Sequence, residues 1–169
     1  MAPLVRRSLA IAGQTPMIRP RAKHRQKVSV IAALFRSPRT GRGRLVHELF
    51  IDQYVNDFSY AEFLQERVLR GSRRRLILVH DGAPLHRGLW TQEVVEDFYP
   101  KLEVFQFPAY APELNPVEQL WSWTKHKQLA NFVPDDLGQL AAATEHVVAL
   151  AEHDPHRLQA FFNAGDLPW

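Results

Sequence analysis

The sequence contains no cysteine among its 169 residues. This excludes disulfide bonds, thiolate zinc sites and a cysteine nucleophile, and it is typical of proteins kept in a reducing cytoplasm. No apolar run approaches the roughly 18 residues of a membrane-spanning helix, so we expect no membrane partner. The apolar stretch that follows the arginine pair near the start covers only residues 9–12, which is too short for a signal peptide. We therefore expect a cytoplasmic protein.

Acidic residues are missing from the front of the chain. Residues 1–47 contain no Asp or Glu, whereas they contain eleven Lys or Arg; the first acid is Glu48. The remaining residues carry ten basic side chains and all 18 acids. A basic front and an acidic back predict a face turned toward a polyanion such as DNA. The alternative, that a solvated basic arm only keeps the protein soluble, remains open.

Hydrophobic patterning predicts an α/β domain over residues 28–169, preceded by an irregular basic arm over residues 1–27. Residues 28–36 and 44–52 are predicted to form an antiparallel hairpin around a basic turn. Ser59 to Glu62 has the form of a capping box and predicts a helix that reaches residue 70. Strands are then predicted at 76–79 and 102–107, and helices at 87–99, 117–129, 137–152 and 155–162. The expected architecture is a mixed sheet flanked by helices.

Two acids follow predicted structural boundaries. Asp81 follows the short apolar strand, and ligands of open α/β sheets lie at the carboxyl ends of strands. Asn115-Pro116 predicts a helix start, with Asn as the cap and Pro in the first helical position. Glu118 would then lie in the first helical turn, near the positive end of the helix dipole. Two converging carboxylates suit a hard cation such as Mg²⁺.

Each acid also has a structural alternative. Asp81-Gly82 is a common turn pair, and Glu118, three residues after Asn115, is placed to close a capping box. Either role would need no metal.

The surrounding motifs "LVHDGAPLHR" and "FPAYAPELNPVEQLWSWTK" resemble the second and third acidic motifs of mariner-type DDE transposases, in their bacterial insertion-sequence branch. The resemblance implies an RNase H-like fold in which Asp, Asp and Glu bind two divalent metals. It assigns Asp81 as the second acid and Glu118 as the third, with 36 residues between them. Gly82 departs from the family, which usually has Asn there. Weaker similarity runs from "GQTP" to about Asn131.

The first family Asp has no counterpart, because residues 1–47 hold no acid. We therefore expect this Asp and its strand, the first of the sheet, to be missing. The resemblance implies DNA cleavage and strand transfer with Mg²⁺ or Mn²⁺, weakly bound here. It also implies transposon-end and target DNA as partners, together with a homo-oligomer or a complementing upstream transposase fragment. A non-catalytic DNA-binding or transposase-partner module is the alternative function, and another RNase H-fold nuclease is a third.

Further residues are expected to support the site. His86 is predicted to orient a ligand, Asn115 to cap the helix, Trp121 to wedge this helix against the sheet, and Lys125 to meet a phosphate. His86 and Lys125 each have an ordinary structural alternative, since loop histidines and surface lysines are common. The candidate DNA-binding residues are basic side chains of the arm and of the hairpin turn: Arg19, Arg21, Lys23, Arg25, Lys27, Arg39 and Arg42.

Overall fold

The structure is a computed structural model that describes residues 7, 11–14, 17, 26–72 and 74–165. Most of the predicted basic arm, including Arg19, Arg21, Lys23 and Arg25, lies outside these residues. The strands and helices of the described chain follow one another in the order that the hydrophobic pattern predicts.

Four strands and five α-helices form the described part of the chain. The strands are β1 (Val28–Arg36), β2 (Gly43–Ile51), β3 (Leu76–His80) and β4 (Leu102–Gln106). The helices are α1 (Asp57–Phe63), α2 (Leu89–Asp97), α3 (Pro116–Trp123), α4 (Leu137–Glu152) and α5 (Pro155–Asn163). Short 3₁₀ turns precede α2 and α3, at Pro84–Arg87 and Pro112–Leu114, and π-helical turns extend α1 through Leu64–Leu69 and α3 through Thr124–Gln128.

The strands pair in two separate ladders. β1 and β2 are antiparallel, with Val28 opposite Ile51, and β3 and β4 are parallel, with His80 opposite Gln106. The antiparallel and parallel pairings of the predicted mixed sheet are thus both present. Within the described residues no ladder joins the two pairs. Each of the four strands consequently keeps one edge without a backbone partner in that part of the chain.

Two hydrophobic clusters hold the elements together. The first joins both strand pairs to α1 through Ile31, Phe63 and Leu102. The second joins the β1–β2 hairpin to α3, α4 and α5, and it includes Leu120 and Trp123 of α3. Leu120 is fully buried, and burying a leucine side chain stabilises a fold by about 1.5–3 kcal/mol. The second cluster therefore fixes α3, the helix that carries Glu118, against the hairpin.

Helix caps largely follow the sequence. Asp136 caps α4 by accepting a hydrogen bond from Gln139 N at 2.7 Å. The predicted cap of α1 is wrong by three residues, because Asn56 rather than Ser59 is the cap. Asn56 accepts from Ser59 N at 2.9 Å and Ser59 Oγ accepts from Asn56 N at 3.0 Å, so Ser59 is the third residue of the capping box. In the described ranges, no helix has the length and apolar character to cross a bilayer.

Candidate active site

Asp81 lies directly after β3, at the carboxyl end of the parallel strand pair. Its carboxylate is about half exposed, with 55% of the side chain accessible. The Oδ1 atom accepts a hydrogen bond from Ala83 N at 3.0 Å and lies 3.0 Å from His86 Nδ1. The turn alternative is thus correct in part, since the side chain bonds to the backbone two residues later. These contacts occupy one oxygen, and no hydrogen bond to Oδ2 is found within the described chain.

Glu118 lies in the first turn of α3, as the Asn-Pro helix start predicts. Asn115 Oδ1 accepts from Val117 N at 3.1 Å, and Pro116 is the first helical residue. The capping-box alternative is wrong, because Asn115 N donates to the carbonyl of Pro112 at 3.1 Å and not to Glu118. In the described ranges the Glu118 carboxylate has no hydrogen-bond or ion-pair partner. An unpaired carboxylate at a helix start is favoured electrostatically and stays available to a cation.

Asp81 and Glu118 line one cavity of about 220 Å³. The loop from β4 to α3 forms most of the remaining wall, with Phe107, Pro108, Ala109, Tyr110, Ala111 and Pro112. The structure therefore brings the two acids to the same place from elements 36 residues apart. A larger cavity of about 340 Å³ lies between α1 and α2, but neither of these acids lines it.

Three aromatic rings pack behind Asp81. The His80 and His86 rings stack with centroids 4.4 Å apart and planes 13° apart, and Tyr60 lies 4.5 Å from His86 on centroids. The Tyr60 hydroxyl is 3.3 Å from His80 Nδ1. His86 Nδ1 is also 2.9 Å from the Asp81 carbonyl oxygen. Both Asp81 atoms that it faces are acceptors, so Nδ1 carries a proton and donates.

The pKa values of two members of this cluster follow from burial. Burial raises the pKa of Tyr60 above its usual range, and the nearby Asp81 carboxylate adds to the effect. Burial also lowers the pKa of His80 from 6.5 to about 4, with a further lowering by His86 and an opposing effect of Asp81. Tyr60 is therefore a protonated hydroxyl and His80 a neutral imidazole at neutral pH, which lets the hydroxyl donate to His80 Nδ1.

The remaining supporting residues are placed differently. Trp121 is partly buried and packs at the border of the second hydrophobic cluster, whereas Trp123, two residues later, is inside it. Trp123 contacts Phe161 edge-on, with centroids 6.1 Å apart, and is the main aromatic anchor of α3. Lys125 is exposed in the π-helical turn after α3 and does not line the cavity of Asp81 and Glu118.

The described basic candidates fall into two groups. Arg39 and Arg42 are exposed in the turn between β1 and β2, where a phosphate would reach them. Lys27 differs, because its ammonium lies over the Tyr54 ring and its buried Nζ has no hydrogen-bond partner among the described residues.

The donors present fit a hard divalent cation. Two carboxylates with free oxygens are the ligands that Mg²⁺ and Mn²⁺ prefer. Over the described ranges no group of three His, Asp or Glu side chains has the arrangement of a complete metal site. Asp81 and Glu118 would therefore supply part of a coordination shell and leave the other positions to water or substrate oxygens.

Two features of the site could not be found from the sequence pattern. Tyr60 comes from α1, and only the tertiary fold brings it to His80. Gly82 lies beneath the side chain of Gln106, the last residue of β4, and a Cβ on Gly82 would lie 2.5 Å from Gln106 Nε2. An amide group thus lies beside Asp81 from a neighbouring strand.

Comparison with known proteins assigns the fold. The first solved structure it finds is the Mos1 strand transfer complex, which is 22% identical with a TM-score of 0.58 and covers 95% of this chain and 46% of that chain. The Mos1 mariner paired end complex with Mn is 19% identical with a TM-score of 0.56, over 95% of this chain and 47% of that chain. The catalytic domain of Mos1 mariner transposase is 19% identical with a TM-score of 0.56, over 80% of this chain and 74% of that chain.

These similarities show an RNase H-like α/β fold, as the sequence predicted. The chain spans about half the length of the first two structures. None of the curated proteins compared with the chain matches it.

The family model described as DDE superfamily endonuclease matches residues 2–141. This match includes the hairpin, both strand pairs and the two acids of the shared cavity. The chain therefore belongs to the DDE superfamily endonucleases.

Proposed function

We propose that this protein is a transposase catalytic domain, in which Asp81 and Glu118 hold a divalent metal ion for DNA cleavage and strand transfer. The carrying observation is that both acids line one cavity in a chain of the DDE superfamily endonucleases. The domain would comprise residues 28–169, with residues 1–27 as a basic arm. Several similar structures are described as Mos1 complexes with Mn or Mg or with a transposon end, which supports a metal ion and DNA as partners.

The two acids would act by binding and orienting. A bound Mg²⁺ or Mn²⁺ supplies activation of a water or 3′-hydroxyl and stabilisation of the leaving oxygen. Asp81 offers Oδ2, because Oδ1 accepts from Ala83 N and lies against the His86 imidazole. Glu118 offers a carboxylate without a protein partner in the described part, on a helix start held by the Asn115 cap.

DNA would approach from the side of the β4–α3 loop. Tyr110 on this loop lines the cavity and is fully exposed. An exposed aromatic ring beside a phosphodiester-binding site is suited to stacking on an unpaired base. Arg39 and Arg42 on the hairpin turn, together with the basic arm, would supply contacts to phosphates.

A third carboxylate is needed for two ions, because ions about 3.5–4 Å apart repel and a bridging acid offsets that repulsion. Residues 1–47 contain no acid, and neither of the next two aspartates lines the cavity. Asp52 follows β2 with a φ of 55°, and Asp57 opens α1 with its side chain against Gly88. We infer that a complementing segment, such as an upstream transposase fragment, supplies the missing strand and its Asp. The strand edges that have no partner among the described residues support this inference.

Transposon ends and target DNA are the proposed substrates, and assembly as a homo-oligomer is the other proposed partnership. The incomplete acid set also favours a second candidate function. In that case the chain would bind DNA or a partner transposase without cleaving, and the two acids would be relics of a catalytic ancestor. The two functions differ in the metal binding that they predict, since a catalytic domain must bind a divalent ion and a non-catalytic module need not.

The test combines metal binding with DNA cleavage. Binding of Mn²⁺, measured from the electron paramagnetic resonance signal of the free ion, should be weak and should be lost in Asp81→Asn and Glu118→Gln. Glu113→Gln is the matched control, because Glu113 is a nearby exposed acid that does not line the cavity. Cleavage of element-end DNA should be little or none until an upstream fragment carrying a strand that ends in Asp is added, and Glu118→Gln should abolish it again.

Equal Mn²⁺ binding by all three variants would reject the metal site and favour the non-catalytic function. Robust cleavage by the 169-residue chain alone would contradict the inference of a third carboxylate from outside it.

A further inference from the structure

The rings of Tyr60, His80 and His86 pack next to Asp81, and the proposed function gives them no role. His86 contacts both other rings, with His80 stacked on it at 4.4 Å and Tyr60 tilted against it at 4.5 Å; the Tyr60 and His80 centroids are 6.3 Å apart. Its side chain is only 14% exposed. Held in this way, the imidazole presents Nδ1 to both the carboxylate and the carbonyl of Asp81, at 3.0 and 2.9 Å.

His80 is fixed by a second contact. The Tyr60 hydroxyl lies 3.3 Å from His80 Nδ1, and Tyr60 itself is buried in the first hydrophobic cluster at 6% exposure. Tyr60 thus connects the rigid core to His80, and His80 supports the face of His86. The chain of contacts runs from the core of the domain to the Asp81 carboxylate.

These contacts make the two carboxylate oxygens of Asp81 unequal. Oδ1 accepts from Ala83 N at 3.0 Å and lies 3.0 Å from His86 Nδ1, which hydrogen-bonds to the carbonyl oxygen of the same residue. A rotation of the carboxylate would break the bond from Ala83 N and move Oδ1 away from the His86 imidazole. Oδ2 is consequently the carboxylate oxygen that has no hydrogen bond in the described part of the chain.

We propose that Tyr60, His80 and His86 are positioning residues that fix the Asp81 carboxylate, so that it offers a divalent ion one defined oxygen. His86 acts through Asp81 and is not itself a ligand of the ion. This inference rests on the proposed metal site of Asp81 and Glu118. It differs from a purely structural role for the rings, because it predicts a selective loss of metal affinity.

The test uses Mn²⁺ binding by the full chain. His86→Ala should weaken Mn²⁺ binding by about 10- to 100-fold, as expected when a hydrogen bond that orients a ligand is lost. His86→Asn should restore most of the affinity, because the Asn amide nitrogen can take the place of Nδ1 as donor. Tyr60→Phe should give an intermediate loss, since it removes the hydroxyl and keeps the ring.

A matched control is available in the same chain. His153 also contacts a backbone carbonyl through Nδ1, 2.8 Å from the Ala149 oxygen, at the end of α4. His153→Ala should leave Mn²⁺ binding unchanged. Thermal melts of each variant followed by circular dichroism show whether the fold is retained, and Tyr60→Phe and His86→Asn keep the proposal testable if His86→Ala unfolds.

A spectroscopic readout separates positioning from ligation. The electron spin echo spectrum of bound Mn²⁺ should lack the ¹⁴N coupling of a directly bound imidazole, and a ¹⁴N coupling that disappears in His86→Ala would overturn the proposal. Unchanged affinity in a folded His86→Ala variant would also overturn it. If Asp81→Asn and Glu118→Gln fail to weaken Mn²⁺ binding, the metal site itself is wrong, which is a distinguishable result.

Discussion

The cap of α3 links protein stability to the proposed metal site, and Asn115→Ala tests this link. The substitution removes the bond from Val117 N to Asn115 Oδ1, 3.1 Å long. Loss of such a cap costs about 1 kcal/mol, which lowers the melting temperature of a domain of this size by about 2–4 °C. Glu118 lies in the turn that this cap holds.

The effect on metal binding follows from the population of that turn. Helix ends fray with free energies near zero, so a loss of 1 kcal/mol reduces the formed fraction of the first turn by about two- to fivefold. Apparent Mn²⁺ affinity should fall by the same factor, because only the formed turn places Glu118. Asn115→Ser, which keeps a capping oxygen, should restore both stability and affinity.

Asp136→Ala is the control for this prediction. It removes the 2.7 Å bond that caps α4 and should lower the melting temperature by a similar amount, but it should leave Mn²⁺ affinity unchanged. Melting is measured by circular dichroism and affinity by electron paramagnetic resonance. If Asn115→Ala loses stability and keeps its affinity, the reasoning that Glu118 binds the ion from a capped helix start is refuted.

Three further predictions concern DNA binding and pH. Tyr110→Ala should weaken binding of single-stranded DNA by about fivefold or more, since stacking on one base is worth about 1–3 kcal/mol. Tyr99→Ala, which removes another exposed aromatic ring, should leave this binding unchanged. Equal losses of affinity for the two variants in a filter-binding assay would reject stacking by Tyr110. The double change of Arg39 and Arg42 to Ala should reduce the slope of log affinity against log salt by about two, and an unchanged slope would remove these arginines from the interface. In metal-free buffer the free energy of unfolding should fall as pH drops from 6.5 toward about 4, because the unfolded chain protonates His80 more readily than the folded protein does. Denaturant titrations of His80→Gln should show a shallower decrease of this free energy with pH. An equally steep decrease would show that His80 does not contribute.

The sequence predicts the elements best where local signals agree with packing. The bounds of β1 and α4 are as predicted, because an uninterrupted apolar run and a capped amphipathic segment each leave little choice. The sequence predicts Ser59 as the cap of α1 because Ser is a good capping residue by itself. Only the hydrogen bonds of Asn56 identify that residue as the cap instead. Trp123 rather than Trp121 anchors α3, since it lies three residues after Leu120 and shares its buried face.

Of the site, the sequence predicts the acids and their elements but not the environment around them. Asp81 and Glu118 were placed by a strand end and a helix start, which are local features. The contacts of His86 with His80 and Tyr60 depend on how α1 packs against β3, and no sequence spacing encodes that packing. The partial coverage of Lys27 by Tyr54 is likewise a tertiary contact. The roles of Asp81 and Glu118 in metal binding, and of Lys27 in DNA binding, are predictions.

The unpaired edge of β1 has a consequence for solubility. Residues 28–35 form eight consecutive positions without a charge or a proline, and strands of this composition add readily to one another's edges. Lys27 and Arg36 flank the run, and stacking copies in register would bring like charges within about 4.8 Å of each other. These two cations therefore act against self-association, and replacing them with neutral residues should make aggregation of the protein more strongly dependent on its concentration.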